Sequence, residues 1–141
     1  MKEIMDFEAC KKEHLKIVEA DYDKIDSIKK MGKARQKLIT NAEIDAETAS
    51  IVASDYYEIV KEFLIALLLK NGLKSDNHEC LISYFKKHYP QYEYETQCIH
   101  QLKNVRNRAT YDGIFVKKEY VLDNKREFEH IIQLIYNLLE V

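Results

Sequence analysis

The sequence predicts an all-α fold: an antiparallel up-and-down bundle of four to five helices with one short crossing helix. Three observations carry that expectation. Helix breakers are scarce, with three Gly and one Pro in 141 residues, which suits long helices better than a sheet. Apolar residues recur every three or four positions over long stretches. Those stretches are separated by short stop signals, chiefly Asn71-Gly72, Pro90 and Gly113.

The first segment covers roughly residues 7–41, with a break expected near Gly32. Leu15, Val18, Tyr22, Ile25, Ile28 and Met31 mark one helix face. Asp45 or Glu47 starts the second helix, where an acid suits the positive end of the dipole. Val52, Tyr56, Ile59, Val60, Phe63, Ala66, Leu67 and Lys70 repeat along it, and its apolar arc widens toward Leu67-Leu68-Leu69, as in a central bundle helix. Gly72 ends it by taking the left-handed conformation without steric cost.

Asp76 or Asn77 caps a shorter third helix running to about His88, with Leu81, Ile82, Tyr84 and Phe85 apolar. Pro90 follows it. A fourth helix runs from about Tyr92 to Tyr111, and Cys98, Leu102, Val105 and Ala109 form its expected buried stripe, widened by Ile99. Residues 114–122 read as an extended linker or a short strand-like piece. The last helix then starts near Asp123 or Asn124 and buries Phe128, Ile131, Ile132, Ile135, Leu138 and Leu139. No repeat or linker divides the chain, so one domain is expected over residues 1–141.

Apolar residues make up 46% and charged residues 33% of the chain, which fits a folded protein and argues against disorder. Net charge is -2, so any nucleic-acid site has to be a local patch. Ten Tyr and no Trp decide nothing alone, because Tyr is common at core edges and interfaces. Cys10, Cys80 and Cys98 are odd in number and widely spaced. They suggest neither a metal pair nor a disulfide framework, which fits a reducing cytoplasm, and Cys98 reads as a small buried hydrophobe. The five histidines show no metal-ligand spacing, so no metal or cofactor is expected. Met1-Lys2-Glu3-Ile4-Met5 carries no long apolar run, so no signal peptide is expected. The longest such run, Phe63 to Leu69, is too short to span a membrane.

The stretch most suggestive of function is Arg106-Asn107-Arg108-Ala109-Thr110-Tyr111-Asp112-Gly113. It gathers two guanidiniums, an amide, a phenol and a carboxylate where a helix stops at a glycine. Such a junction holds polar groups on a rigid element and still admits a ligand. Arginine presents planar, permanently charged donors suited to phosphate.

With this stretch, the helix order, the Gly cap and the His78-Glu79 pair opening the short helix, the chain resembles a HEPN domain from about Asp21 to its end. This is the small helical bundle of prokaryotic toxin–antitoxin pairs and RNA-targeting defence effectors. The resemblance implies a homodimer whose paired copies of an Arg…His motif form one cleft, acting as a metal-independent endoribonuclease. Arg106 matches the Arg and Asn107 the residue that often follows it. Tyr111 stands where His is expected, and no His lies within six residues after Arg106 or Arg108. A phenol of pKa ~10 is a poor base near neutrality, where imidazole serves well.

On this reading Arg106, Asn107 and Tyr111 are the candidate catalytic residues. Arg106, Arg108, Asp112, His100 and Lys117 are the candidate RNA- or nucleotide-binding set. Arg106 would hold a phosphate and Tyr111 would stack on a base. His100 shares a face with Asn104 and Asn107, and reaches Arg106 only across a dimer. The Lys117-Lys118 pair beside Phe115 and Tyr120 resembles a small basic-aromatic patch. The Lys29-Lys30, Lys33, Arg35, Lys37 cluster reads as a wet helix face. Structural alternatives stand beside each of these: Arg106 paired with an acid of a neighbouring helix, Tyr111-Asp112-Gly113 as a simple cap, His78, His14 and His130 without ligand roles. Three functions remain open: a toxin-type nuclease, a non-catalytic module binding a nucleotide or a small cognate nucleotidyltransferase (with Tyr111 a target for adenylylation), and a plain helical interaction protein.

Overall fold

The computed structural model describes residues 3–140; Met1, Lys2 and Val141 lie outside the described residues, and with them part of the stretch read for a signal peptide. Helix α1 (Phe7–Glu13) leads to strand β1 (Leu15–Ile17) and helix α2 (Tyr22–Thr40). Helix α3 (Ala49–Lys70), strand β2 (Leu73–Ser75) and helix α4 (Glu79–His88) follow. A 3-10 turn at Pro90–Tyr92 opens helix α5 (Glu93–Asp112), and α6 (Lys118–Glu140) closes the fold. The chain is an all-α bundle. The small β1–β2 ribbon is antiparallel, pairing Leu15 with Ser75, Lys16 with Lys74 and Ile17 with Leu73.

Helix α3 is the axis, and α2, α4, α5 and α6 all pack on it. Val52, Tyr56, Tyr57, Ile59, Val60, Phe63, Leu64, Leu67 and Leu68 are buried around its whole circumference, as a helix apolar on every side demands. Its entrance is fixed by Asp45, whose carboxylate accepts the backbone N–H of Glu47 at 2.9 Å and of Thr48 at 2.8 Å. Those bonds hold the Asp45 carboxyl below its ordinary range. Its exit is Gly72 at φ 75°, the left-handed stop that the sequence predicts. Glu129 of α6 binds α2 and α3 together inside the bundle, accepting from the Tyr56 hydroxyl at 2.9 Å and the Thr40 hydroxyl at 2.7 Å.

Four expectations are corrected. The first segment is not one helix broken at Gly32. It breaks at residues 14–21, where β1 leaves to pair with β2, and the Asp21 side chain caps α2 by accepting the Lys24 N–H at 3.0 Å. Gly32 lies buried inside α2 against Phe63, while Tyr22 and Met31 of the expected apolar face are exposed. The last helix begins at Lys118 rather than Asp123 or Asn124, because Val121 is already buried seven residues before Phe128. In α5 the buried residues are Thr96, Ile99, Leu102, Lys103 and Asn104, with Cys98, Val105 and Ala109 only half-buried. The rotation is fixed by Lys103, whose ammonium donates to the Glu79 carboxylate at 3.0 Å. Finally, Cys10 and Cys80 form a disulfide that joins α1 to α4, and Cys98 alone is free. A reducing compartment therefore cannot be argued from these cysteines.

No helix among the described residues is long and apolar enough to cross a membrane.

Candidate functional site

The site is built on the last two turns of α5 where they cross α3. Gly113, at φ 67° and ψ 23°, stops α5 in the left-handed conformation, and the next residue's amide, on Ile114, donates back to Arg108 O at 3.2 Å. This cap fixes the end of the helix and so the direction in which its side chains leave it.

Arg106 leaves α5 toward α3. Its guanidinium carbon lies 4.9 Å from the centroid of the buried Tyr57 ring, a cation–π contact. Nη1 donates to Asn107 Oδ1 at 3.0 Å. Nη2 stands 3.9 Å from Glu58 Oε2, beyond hydrogen-bond range, and Glu58 holds a nearer partner in Lys61 at 2.9 Å. The Arg106 Nε–H is buried with no hydrogen-bond partner. Pairing of Arg106 with a neighbouring acid, the structural alternative, is thus loose. The guanidinium is held in place by a ring face and one amide, and donors remain uncommitted.

Burial pushes the Tyr57 phenol up to about 12, with the Arg106 charge opposing and Glu58, Glu79 and Tyr111 adding to the rise. Tyr57 is therefore neutral near pH 7 and serves as a platform, not a base. Behind Glu58, a cavity of about 260 Å³ between α2 and α3 is lined by Lys24, Met31, Gly32, Arg35, Glu58 and Glu62, among others.

The other candidates divide by direction. Tyr111 is 73% exposed on the final turn and close enough to Tyr57 to act on its titration. Asp112, Arg108 and Lys117 are exposed. Arg108 lies two residues from Arg106, so a helix turns it away; it acts instead on Tyr120 of α6, whose phenol burial raises. His100 is half-buried, its Nε2 3.3 Å from Asn104 Nδ2, and it lines a cavity on the α6 side with Cys98 and Asn124. Within one chain, then, Asn107 and Tyr111 follow Arg106 at the end of α5, Arg108 points away from it, and His100 shares the Asn104–Asn107 face nearly two turns back. Phe115 is 67% exposed in the loop that follows, and Val116 N–H, donating to Ser50 Oγ at 2.8 Å, ties that loop to the start of α3.

Tyr57 and Glu58 are the site residues that sequence reasoning missed. A Tyr-Tyr pair in an apolar helix reads as core, and nothing local shows that the second ring faces an arginine 49 positions later. Compared with protein-family models, curated proteins and solved structures, the chain shows no match.

Proposed function

We propose that the end of α5 is a phosphate-recognising site of the HEPN kind, and that two copies of the chain bring their Arg106 side chains to one cleft that acts on RNA. The observation that carries this reading is the guanidinium itself. It is positioned by Tyr57 and Asn107, yet Nε has no partner. A pre-placed, partly desolvated arginine binds an anion without first paying to be ordered. Asn107 orients Arg106, and Tyr111 offers an exposed ring to a base. Asp112, Arg108 and Lys117 border the cleft, and His100 enters it only from the second subunit. A toxin-type component working in the cytoplasm fits such a site.

The test is labelled RNA incubated with purified protein in EDTA, comparing wild type with Arg106→Ala. The expected outcome is metal-independent cleavage that disappears in the variant. RNA binding should fall roughly tenfold to a hundredfold, the worth of one charge-assisted hydrogen bond. RNA neither cut nor bound by wild type removes the proposal.

A second reading rests on Tyr111. It is 73% exposed and replaces the imidazole a nuclease would use. As a non-catalytic module, the chain binds a nucleotide or a cognate small nucleotidyltransferase, and its Tyr111 hydroxyl, giving up its proton, takes the nucleotidyl group of a nucleoside triphosphate held by that transferase while pyrophosphate leaves. RNA bound but uncut, with a nucleotidyl mass on Tyr111 of protein co-produced with a neighbouring nucleotidyltransferase, favours this reading over the first.

A further inference from the structure

Helices α5 and α6 carry matching pairs of metal-binding side chains: Glu95 and Cys98 on one, Glu127 and His130 on the other, each three residues apart. Residues at that spacing share a helix face. The fold turns the faces together. One ligand atom each from Glu95, Glu127 and His130 lie within 4.8 Å of one another, and His130 Nε2 is 3.7 Å from Glu95 Oε2. That separation is too long for a hydrogen bond. It is close to the roughly 3.4 Å between two ligand atoms that each sit ~2.1 Å from one tetrahedral zinc ion.

The charge balance points the same way. The Glu95 side chain is only 17% exposed, and Glu127 is half-buried. Among the described residues, no lysine or arginine pairs with either carboxylate.

We infer that Glu95, Glu127 and His130 form a binding site for a divalent transition-metal ion of the zinc kind, bridging α5 to α6. An imidazole beside two carboxylates suits zinc better than magnesium or calcium, which take oxygen ligands. Three protein ligands leave a fourth position for water. Residues on chain spacing alone gave His130 no ligand role; its partner Glu95 comes from another helix. The site is separate from Arg106, which lies eleven residues along α5, about 16 Å away at the helical rise. Its success or failure is therefore independent of the RNA reading.

The test is a calorimetric titration of metal-stripped, full-length protein with zinc chloride, with thermal unfolding followed in parallel. One Zn²⁺ per chain and a raised unfolding temperature are expected for wild type. His130→Ala and Glu127→Gln should bind at least about tenfold more weakly, since losing a ligand costs no less than losing an outer-shell partner. His14→Ala, at the other histidine–acid contact (Asp76, 2.7 Å), should bind like wild type. No zinc bound by wild type, or equal affinity in both ligand variants, overturns the inference. Cobalt(II) added to wild type gives a readout independent of variant folding: intense visible bands of a low-coordinate ion are expected, and the weak spectrum of an octahedral aqua ion overturns the site.

Discussion

Gly32 shows how a single missing carbon sets the approach of two helices. A Cβ placed there would come within 2.2 Å of Phe63 Cε1 and 2.6 Å of Cζ. Phe63 is fully buried, so its ring has nowhere to swing. Alanine gains about 1 kcal/mol of helix propensity over glycine, whereas overpacking a tight core costs about 1–3 kcal/mol. A contact so far inside van der Waals range belongs at the upper end, so overpacking wins. Gly32→Ala should lower unfolding free energy by about 1–2 kcal/mol in urea denaturation; unchanged or raised stability would show that α2 can retreat from α3 freely. A similar local comparison distinguishes the two cations of α5. Lys103 is committed to Glu79 at 3.0 Å, with the two side chains 4% and 19% exposed, and belongs to the architecture. Arg106 is three residues on, yet its nearest acid is 3.9 Å away and it rests on a ring that takes none of its N–H donors. The first arrangement uses up a charge, and the second keeps one available.

At the scale of elements, α1 is the piece with least of its own to hold it. It is seven residues long and buries only Cys10 fully, and helices so short are marginal alone. The Cys10–Cys80 bond fixes it to α4 and closes a loop across 70 residues of sequence. By loop-closure entropy a bridge of that span is worth about 4 kcal/mol. Replacing both cysteines by serine should lower unfolding free energy by about 2–4 kcal/mol and leave α3, α5 and α6 folded, as judged by retained helical circular dichroism. A loss under about 0.5 kcal/mol, the scatter of neutral surface changes, would mean that α1 is held by packing on α4 through Phe7, Tyr84 and His88. The link between Val116 N–H and Ser50 Oγ plays a lesser version of this part for the loop after α5. It keeps the Arg106 end of α5 near the start of α3.

For the whole molecule, what sequence could reveal depended on how local the cause was. The axis α3 and its Gly72 stop were legible, because each follows from residues within a turn or two; α4, expected to be capped by Asp76 or Asn77, has His78 at its N-cap instead, with the Asn77 side chain accepting the Glu79 N–H at 2.9 Å just before it. The early start of α6 was present in the Val121–Phe128 spacing, masked by reading Lys117-Lys118-Glu119 as a linker. Gly32 was misread because a glycine in a helix signals a break unless the ring it must accommodate is known. The bond between Cys10 and Cys80, the Tyr57 platform and the Glu95–Glu127–His130 cluster join distant parts of the chain, and no local pattern shows such pairings. The largest pairing still to be tested is between two chains. Tyr111, Ile114 and Phe115 are 73%, 57% and 67% exposed around the end of α5, Ile51 is 64% exposed at the start of α3 beside the Val116–Ser50 bond, and Leu122 is 54% exposed on the second turn of α6. Apolar groups scattered singly need no partner, but a cluster of them bordering a charged site is what an association surface looks like. The proposed cleft needs association there, since one chain offers only one Arg106. Sedimentation of wild type at micromolar concentration should give a dimer. Phe115→Asp, which buries a charge in the contact without touching the core, should give a monomer with unchanged circular dichroism and lose RNA cleavage along with the contact. A monomeric wild type would remove the shared cleft while leaving a single-chain phosphate site intact, and a dimer unmoved by Phe115→Asp would place the contact on another face of the bundle.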